Sequence, residues 1–367
     1  MKFVCEKSTL LKILSDLSRC VAIRSSISAL EGIHITVEGN FAYFESFNIE
    51  FGIQSSIEIS EGEDGSVVVP SRVFVDIVKR LPNALVCISS EKLNVSVNCL
   101  DSNFSISCID PSDFPKLPQI EDEQPISIQS STLKNMIKQT IFAVSSDVEQ
   151  NIHSGELIEV KDKVLTIVAV DGFRMSVRKE RVNIDSNFKV VVPGKALSEV
   201  IRLLPSEEEN ITLFLSERYI FIRFGNYTFL SRLLDGNFID YESTIPKDFD
   251  TKVKVNVQNM IESIERVSVV IDDRLQSPVK GEFKDNSICF SCTTPIGTSQ
   301  DTFENKIEGN PIIIAFNDKY MIDALKNCDT DEVILSMTSP LKPIKIVPTN
   351  GESFVFIILP VRMKENQ

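Results

Sequence analysis

The sequence predicts an α+β protein of three similar domains, each with two helices packed on antiparallel sheets. Two observations carry this expectation. Helical stretches recur at intervals near 123 residues along a chain of 367, and between them the residues alternate apolar and polar in short runs. The clearest repeat is VVVPSRVFVDIVKRLP at 67–82 against VVVPGKALSEVIRLLP at 190–205. A third copy, IAFNDKYMIDALKNCD, occupies 314–329.

Each copy reads as a strand, a turn and a helix. Val73, Ile77 and Leu81 match Ala196, Val200 and Leu204, then Tyr320, Ala324 and Cys328. Phe74, Leu197 and Met321 correspond as well, as do Val78, Ile201 and Leu325. Such spacing marks one apolar face of a helix. In the first copy it predicts that Val73 and Ile77 bury against a sheet. A second helix repeats at the same step: STLLKILSDL at 8–17, STLKNMIKQT at 131–140 and, more loosely, QNMIESIERV at 258–267. Leu10, Leu133 and Met260 correspond, and six helices result.

The intervening stretches read as short antiparallel strands. HITVEGNFAYFESFNIEFGIQSSIEI and KLNVSVNCLDSNFSISCI carry Gly-Asn and Asp-Ser turn signals, and GEFKDNSICFSCTT repeats the pattern late in the chain. Strands with one buried face need helices to cover them. The domain ends echo each other too, in ISCIDPSDFPKLP and LSRLLDGNFIDYESTIP. Chain rich in Asp, Pro and Glu beyond each reads as a linker, which places the domains at 1–122, 123–249 and 250–367. The period is too long for a solenoid, whose units run to about 20–50 residues.

Composition narrows the function. An apolar fraction of 43% with 25% charged residues fits a globular chain. No apolar run approaches the ~18–20 residues a membrane span needs. MKFVCEKSTLLK carries charges where a signal peptide has its apolar stretch, so the expected compartment is the cytoplasm. The eight cysteines show no disulfide spacing. Cys289 and Cys292 form a CxxC within SICFSCTT, but positions i and i+3 of a strand face opposite ways, which suits no shared metal. Two distant histidines, no glycine-rich phosphate loop and no paired-ligand spacing leave no expected catalytic residue, metal or cofactor.

Charge is distributed unevenly. The net formal charge is −14, which alone argues against nucleic acid. Yet the repeated helix keeps a basic, acidic, basic stripe: Arg72, Asp76, Lys79; then Lys195, Glu199, Arg202; then Lys319, Asp323, Lys326. Lys12, Asp16 and Arg19 share it, and Lys134 and Lys138 lie on the third helix. Read blandly, these are solvated faces with internal ion pairs. Acidic runs such as EGEDG, IEDEQ and SEEEN fall between the helices. DGFRM, read the same way, is a hairpin turn at Asp171-Gly172.

Local sequence adds a resemblance over the whole chain. MKFVCEKSTLLKIL, PSDFPKLP, VAVDGFRM, LLDGNFIDY and FIILPVRM, in their order and spacing, resemble the bacterial DNA sliding clamp family, the DNA polymerase III beta subunit. The resemblance implies the DNA clamp fold: a head-to-tail homodimer closed into a ring, with twelve helices inside and sheets outside. It implies a processivity factor with no catalytic site, encircling double-stranded DNA without reading sequence. The implied partners are the alpha subunit of the replicative polymerase, the clamp loader complex and other clamp-binding replication and repair proteins. Size agrees with a dimer. Twelve helices at ~8–10 Å spacing leave a hole of roughly 20–28 Å, whereas six would leave about 5–9 Å.

The family's peptide-binding positions fall on His153, Val170, Gly172, Phe173, Arg174, Met175, Ile239, Thr244, Asn317, Tyr320, Met321, Leu341, Pro343, Ile357, Leu359, Pro360, Val361, Arg362 and Met363. Val170, Phe173, Ile239 and His153 depart from the usual residues, which bears on peptide preference. The terminal KENQ extends past the usual end. Arg24 and Lys195 match DNA-contacting positions, and the stripes extend that set to Arg72, Lys79, Lys134, Lys138, Arg202, Lys319 and Lys326. At the ring junction, Phe104 and Ile106 would meet Val269 and Val270 of the other chain. The alternative is a cytosolic peptide-binding scaffold that never encircles DNA.

Overall fold

The computed structural model describes residues 1–147, 151–205, 208–272 and 277–363, and the KENQ tail lies outside them. The N-terminal third contains β1 (Lys2–Glu6), α1 (Lys7–Leu17), β2 (Gly32–Glu38), β3 (Phe41–Phe47), β4 (Phe51–Glu58), β5 (Gly62–Glu63), β6 (Gly65–Pro70), α2 (Ser71–Arg80), β7 (Leu85–Glu91), β8 (Asn94–Cys99) and β9 (Ser102–Ser107). The middle third contains β10 (Ile126–Gln129), α3 (Ser130–Thr140), β11 (Gly155–Lys161), β12 (Val164–Val170), β13 (Arg174–Arg181), β14 (Phe188–Pro193), α4 (Gly194–Leu203), β15 (Asn210–Leu215), β16 (Tyr219–Phe224), β17 (Tyr227–Arg232) and the short α5 (Tyr241–Thr244). The last third contains β18 (Thr251–Asn256), α6 (Val257–Ser268), β19 (Val279–Lys284), β20 (Ser287–Thr294), β21 (Gly297–Glu304), β22 (Ile307–Gly309), β23 (Ile312–Phe316), α7 (Asp318–Lys326), β24 (Glu332–Met337), β25 (Ile344–Pro348) and β26 (Phe354–Ile358).

The six expected long helices all form, each directly after a strand. The entering strands β1, β10 and β18 escaped the sequence reading because KFVCE, ISIQ and TKVKVN are short and flanked by polar residues. Two compact units result: 1–132 with 195–233, and 133–194 with 234–367. The first holds a five-stranded sheet, β5-β1-β7-β8-β9, and an eight-stranded sheet, β10-β15-β16-β17-β4-β3-β2-β6. The second holds a nine-stranded sheet, β14-β11-β12-β13-β26-β25-β24-β18-β22, and a four-stranded sheet, β21-β20-β19-β23. The middle third thus gives strands to both long sheets. Its β17 pairs with β4, Ser231 facing Phe51, and its β13 pairs with β26, Arg174 facing Ile358.

Packing follows the repeat, with one correction. Leu10, Leu133 and Met260 are all buried, as their register requires. On α2, however, Phe74 and Val78 are fully buried, whereas Val73 is 49% exposed and Ile77 only half-buried. The centre of the buried stripe runs through Phe74, Leu197 and Met321, and Val73 lies one residue, about 100° of helix, to its flank. At that flank the small Ala196 is buried on α4, whereas the larger Tyr320 is only half-buried on α7.

Turns were read closely but not perfectly. Gly39 takes φ +57 between β2 and β3, as the Gly-Asn signal predicts. The next turn falls on Leu100-Asp101, one residue before the Asp-Ser signal, with Leu100 at φ 49. On β20, Ile288, Phe290 and Cys292 are buried in alternation, which puts Cys289 on the opposite face. No helix among the described residues is long and apolar enough to cross a membrane.

Candidate functional site

The β12–β13 hairpin shapes one surface of the second unit. Asp171 Oδ1 accepts from the Phe173 and Arg174 amides at 2.9 and 3.0 Å, and Gly172 takes φ +87. A Cβ at Gly172 would meet nothing within 4 Å, so the backbone conformation, not crowding, calls for glycine there. The tight turn lifts Phe173 to the surface, 59% exposed, and turns Arg174 inward.

Arg174 is the organising residue. Its Nε donates to Asp171 Oδ2 at 2.9 Å and its Nη1 to Asp323 Oδ2 at 2.6 Å. The guanidinium lies 4.4 Å from the Tyr320 ring centroid, and Phe173 stacks on that ring at 6.1 Å. Asn317 caps α7, accepting the Tyr320 amide at 3.1 Å. The chain after β26 is anchored on both sides: the Leu359 amide donates to Phe173 O, and the Val361 amide to Ala315 O. Beneath, Val170, Met175 and Ile357 are buried with Phe238 and Tyr241, and Ile239 packs against them. The Thr244 hydroxyl lies 3.8 Å from Met175 Sδ. His153 meets the Phe238 ring edge-on at 5.5 Å, and burial holds its pKa below the usual imidazole value.

Most of the expected peptide positions thus gather on one unit. Leu341, Leu359, Val361 and Met363 are exposed apolar side chains. Arg362 and Gly172 are exposed, and Pro343 and Pro360 half-buried. Met321, on α7, is fully buried in the core. Asp171 and Asp323 were not among the expected site residues. The repeat held the signal for the first, because Asn48 Oδ1 accepts the Glu50 and Phe51 amides in the same turn 123 residues earlier.

The stripe acids mostly turn away from the stripe bases. Asp323 goes to Arg174, Asp16 accepts from the Tyr227 hydroxyl at 2.9 Å, and Asp76 pairs with Arg80. Glu199 binds within its stripe, to Arg202 at 2.9 Å, with Arg19 at 3.6 Å. Arg24, Arg72, Lys79, Lys138 and Lys195 are exposed, with no ion pair among the described residues. Lys319 is exposed and Lys134 half-buried, and Lys326 pairs with Glu265.

The expected ring residues lie on β9, which ends its sheet, and in the turn after α6. Outermost β9 carries Phe104, 39% exposed, but Ile106 is already buried within the chain at 6%. Val269 is 82% exposed, and the half-buried Val270 accepts through its carbonyl from Thr294 Oγ1.

Models of the N-terminal, central and C-terminal domains of the DNA polymerase III beta subunit match residues 1–118, 127–240 and 242–362. The chain belongs to the DNA polymerase III beta subunit family. A beta sliding clamp of Bacillus subtilis is 34% identical, covering 99% of this chain and all of the relative. One from Staphylococcus epidermidis is 33% identical over 99% of both. The crystal structure of the Bacillus subtilis sliding clamp superposes with a TM-score of 0.96 at 34% identity, covering 99% of this chain and all of that one. A beta subunit structure from Eubacterium rectale gives 0.95 at 30% with the same coverage. The beta subunit fold accounts for the two long sheets, and the function is that of a sliding clamp for DNA polymerase processivity.

Proposed function

We propose that two copies of this chain close head to tail into a ring around duplex DNA and tether the replicative polymerase through the Arg174–Tyr320 surface. The single observation that carries the ring is the pair of open sheet edges. Within the chain, β17 pairs with β4 and β26 with β13. By the repeat, β9 corresponds to β17 and β26, and β21 to β4 and β13, yet β9 and β21 both end their sheets. An unpaired edge is a template for another chain, and a closed ring removes it. Copying the internal register onto this junction sets Ile106 opposite Ile296 and Phe104 opposite Thr298. Ile296 is 70% exposed in the single chain, and Val269 lies in the turn that follows α6.

The chain then divides at 1–122, 123–249 and 250–367, one clamp domain each. Arg24, Arg72, Lys79, Lys134, Lys138, Lys195, Arg202, Lys319 and Lys326 face the duplex. Basic side chains on these helices attract phosphates without reading bases. The peptide surface takes short Leu- or Phe-bearing segments of the polymerase alpha subunit, the clamp loader and repair proteins, since apolar walls with few polar groups suit such anchors. A Pseudomonas aeruginosa relative has been solved bound to griselimycin, which supports a ligand surface on this fold. The chain works in the cytoplasm as an accessory subunit with no catalysis of its own. Solution mass tests the ring: twice the 41.1 kDa chain mass is expected, and a monomer at micromolar concentration would contradict it.

A further inference from the structure

Where α3, β13 and the end of α7 meet, the second unit holds a cleft of about 340 Å³ lined in part by Asn135, Lys138, Gln139, Arg178, Lys326 and Asp329. Arg178 has a side chain only 13% exposed, and its Nη2 reaches Glu180 at 3.0 Å and Asp329 at 3.6 Å. Its Nε and Nη1 are buried with no hydrogen-bond partner among the described residues, and neither has Gln139 Oε1 one. The Gln139 amide nitrogen donates to Asn327 O at 3.3 Å. Lys326 is held by Glu265, while Lys138 is exposed and has no acidic partner among the described residues. A buried donor without an acceptor is costly, more so on a charged group.

The internal repeat shows that this place need not be open. Ser55 faces Tyr227 across β4–β17 as Arg178 faces Phe354 across β13–β26, and Asp16 precedes Gln139 by 123 residues. In the first unit the network closes on itself. The Tyr227 hydroxyl donates to Asp16 at 2.9 Å, and Asn226 donates to Ser55 at 3.0 Å. In the second unit Phe replaces Tyr, Gln replaces Asp and Arg replaces Ser, so donors accumulate, and Arg178 Nε and Nη1 find no acceptor among the described residues.

We infer that this cleft binds a phosphate group, with the free Arg178 N–H groups as its buried donors and Lys138 as its outer one. The Gln139 carbonyl oxygen adds a selective element. Inorganic phosphate keeps an O–H near neutrality and can donate to it, whereas a phosphate monoester, with a second pKa of about 6, is largely an O–H-free dianion and a backbone phosphodiester has no O–H at all. The duplex arm of the inference rests on the clamp reading; the free-phosphate arm does not.

Calorimetric titration of the full chain with inorganic phosphate, beside anisotropy titration with a short linear duplex across salt, tests it. Arg178→Gln should weaken binding of the responding probe about tenfold, the loss of a charge-assisted hydrogen bond. Lys138→Ala, an exposed change that leaves packing intact, should lower the salt slope for duplex by about 1 or weaken phosphate binding measurably. A response to phosphate alone identifies free phosphate, and one to duplex alone identifies the nucleic-acid backbone. If neither probe binds, or both variants bind as the parent does, the inference is wrong. Failure of the clamp reading would appear separately, as a monomeric solution mass with phosphate binding intact.

Discussion

Arg174 donates to Asp323 at 2.6 Å across 149 residues of sequence, locking the β12–β13 hairpin to α7. The same guanidinium lies over Tyr320, so one ion pair sets the face on which Phe173 and Tyr320 stack. Asp323→Ala should leave Arg174 held by Asp171 alone and loosen that face. The expected result is roughly tenfold weaker binding of a fluorescent Leu- and Phe-bearing peptide, comparable to loss of a binding hot spot, with solution mass unchanged. Unaltered peptide affinity would remove the ion pair from the account.

Glu156 supplies a pH test. It is fully buried; its Oε1 lies 2.8 Å from the Thr140 hydroxyl, and Oε2 has no hydrogen-bond partner among the described residues. Burial raises its pKa well above the usual carboxylate value, against the smaller opposing effect of Thr140. The folded chain therefore holds a proton that the unfolded chain releases above its own pKa of about 4.3. Its contribution is fully present below that pH and is lost as pH rises toward the folded pKa, by at most about 1.4 kcal/mol per pH unit. Glu156→Gln should remove this slope. Melting temperatures of both proteins at pH 5.5 and pH 8.5, two settings spaced about three units apart to span the slope, should show the variant gaining on the parent at the higher pH. An equal difference at both would contradict a protonated Glu156.

The open edges give a third test. Ile296→Glu places a charge opposite the proposed partner strand, where burying it unpaired would be costly. The single chain should keep its melting behaviour, because Ile296 is 70% exposed. Its solution mass should fall to that of a monomer. A variant that stays dimeric would place the junction elsewhere.

Much of this was legible in the residues. Periodicity marked all six long helices, and DGFRM read as a hairpin turn at Asp171-Gly172, where the turn forms. What failed did so for physical reasons. Val73 was assigned to the core because spacing fixes a stripe but not its centre, which the size of Phe74 decides. The Arg174–Asp323 pair was hidden, because Asp323 looked like one more charge on a solvated stripe. The split of the middle third between two sheets was also invisible, since strand alternation carries no information about which strands pair.

The central claim is that the ring encircles DNA, and topology tests it directly. The chain is loaded on nicked circular DNA, which is then cut once to make it linear. A clamp should stay on the circle and slide off the ends of the linear form. Equal retention on both forms would contradict encirclement and leave only a protein bound to the side of the duplex.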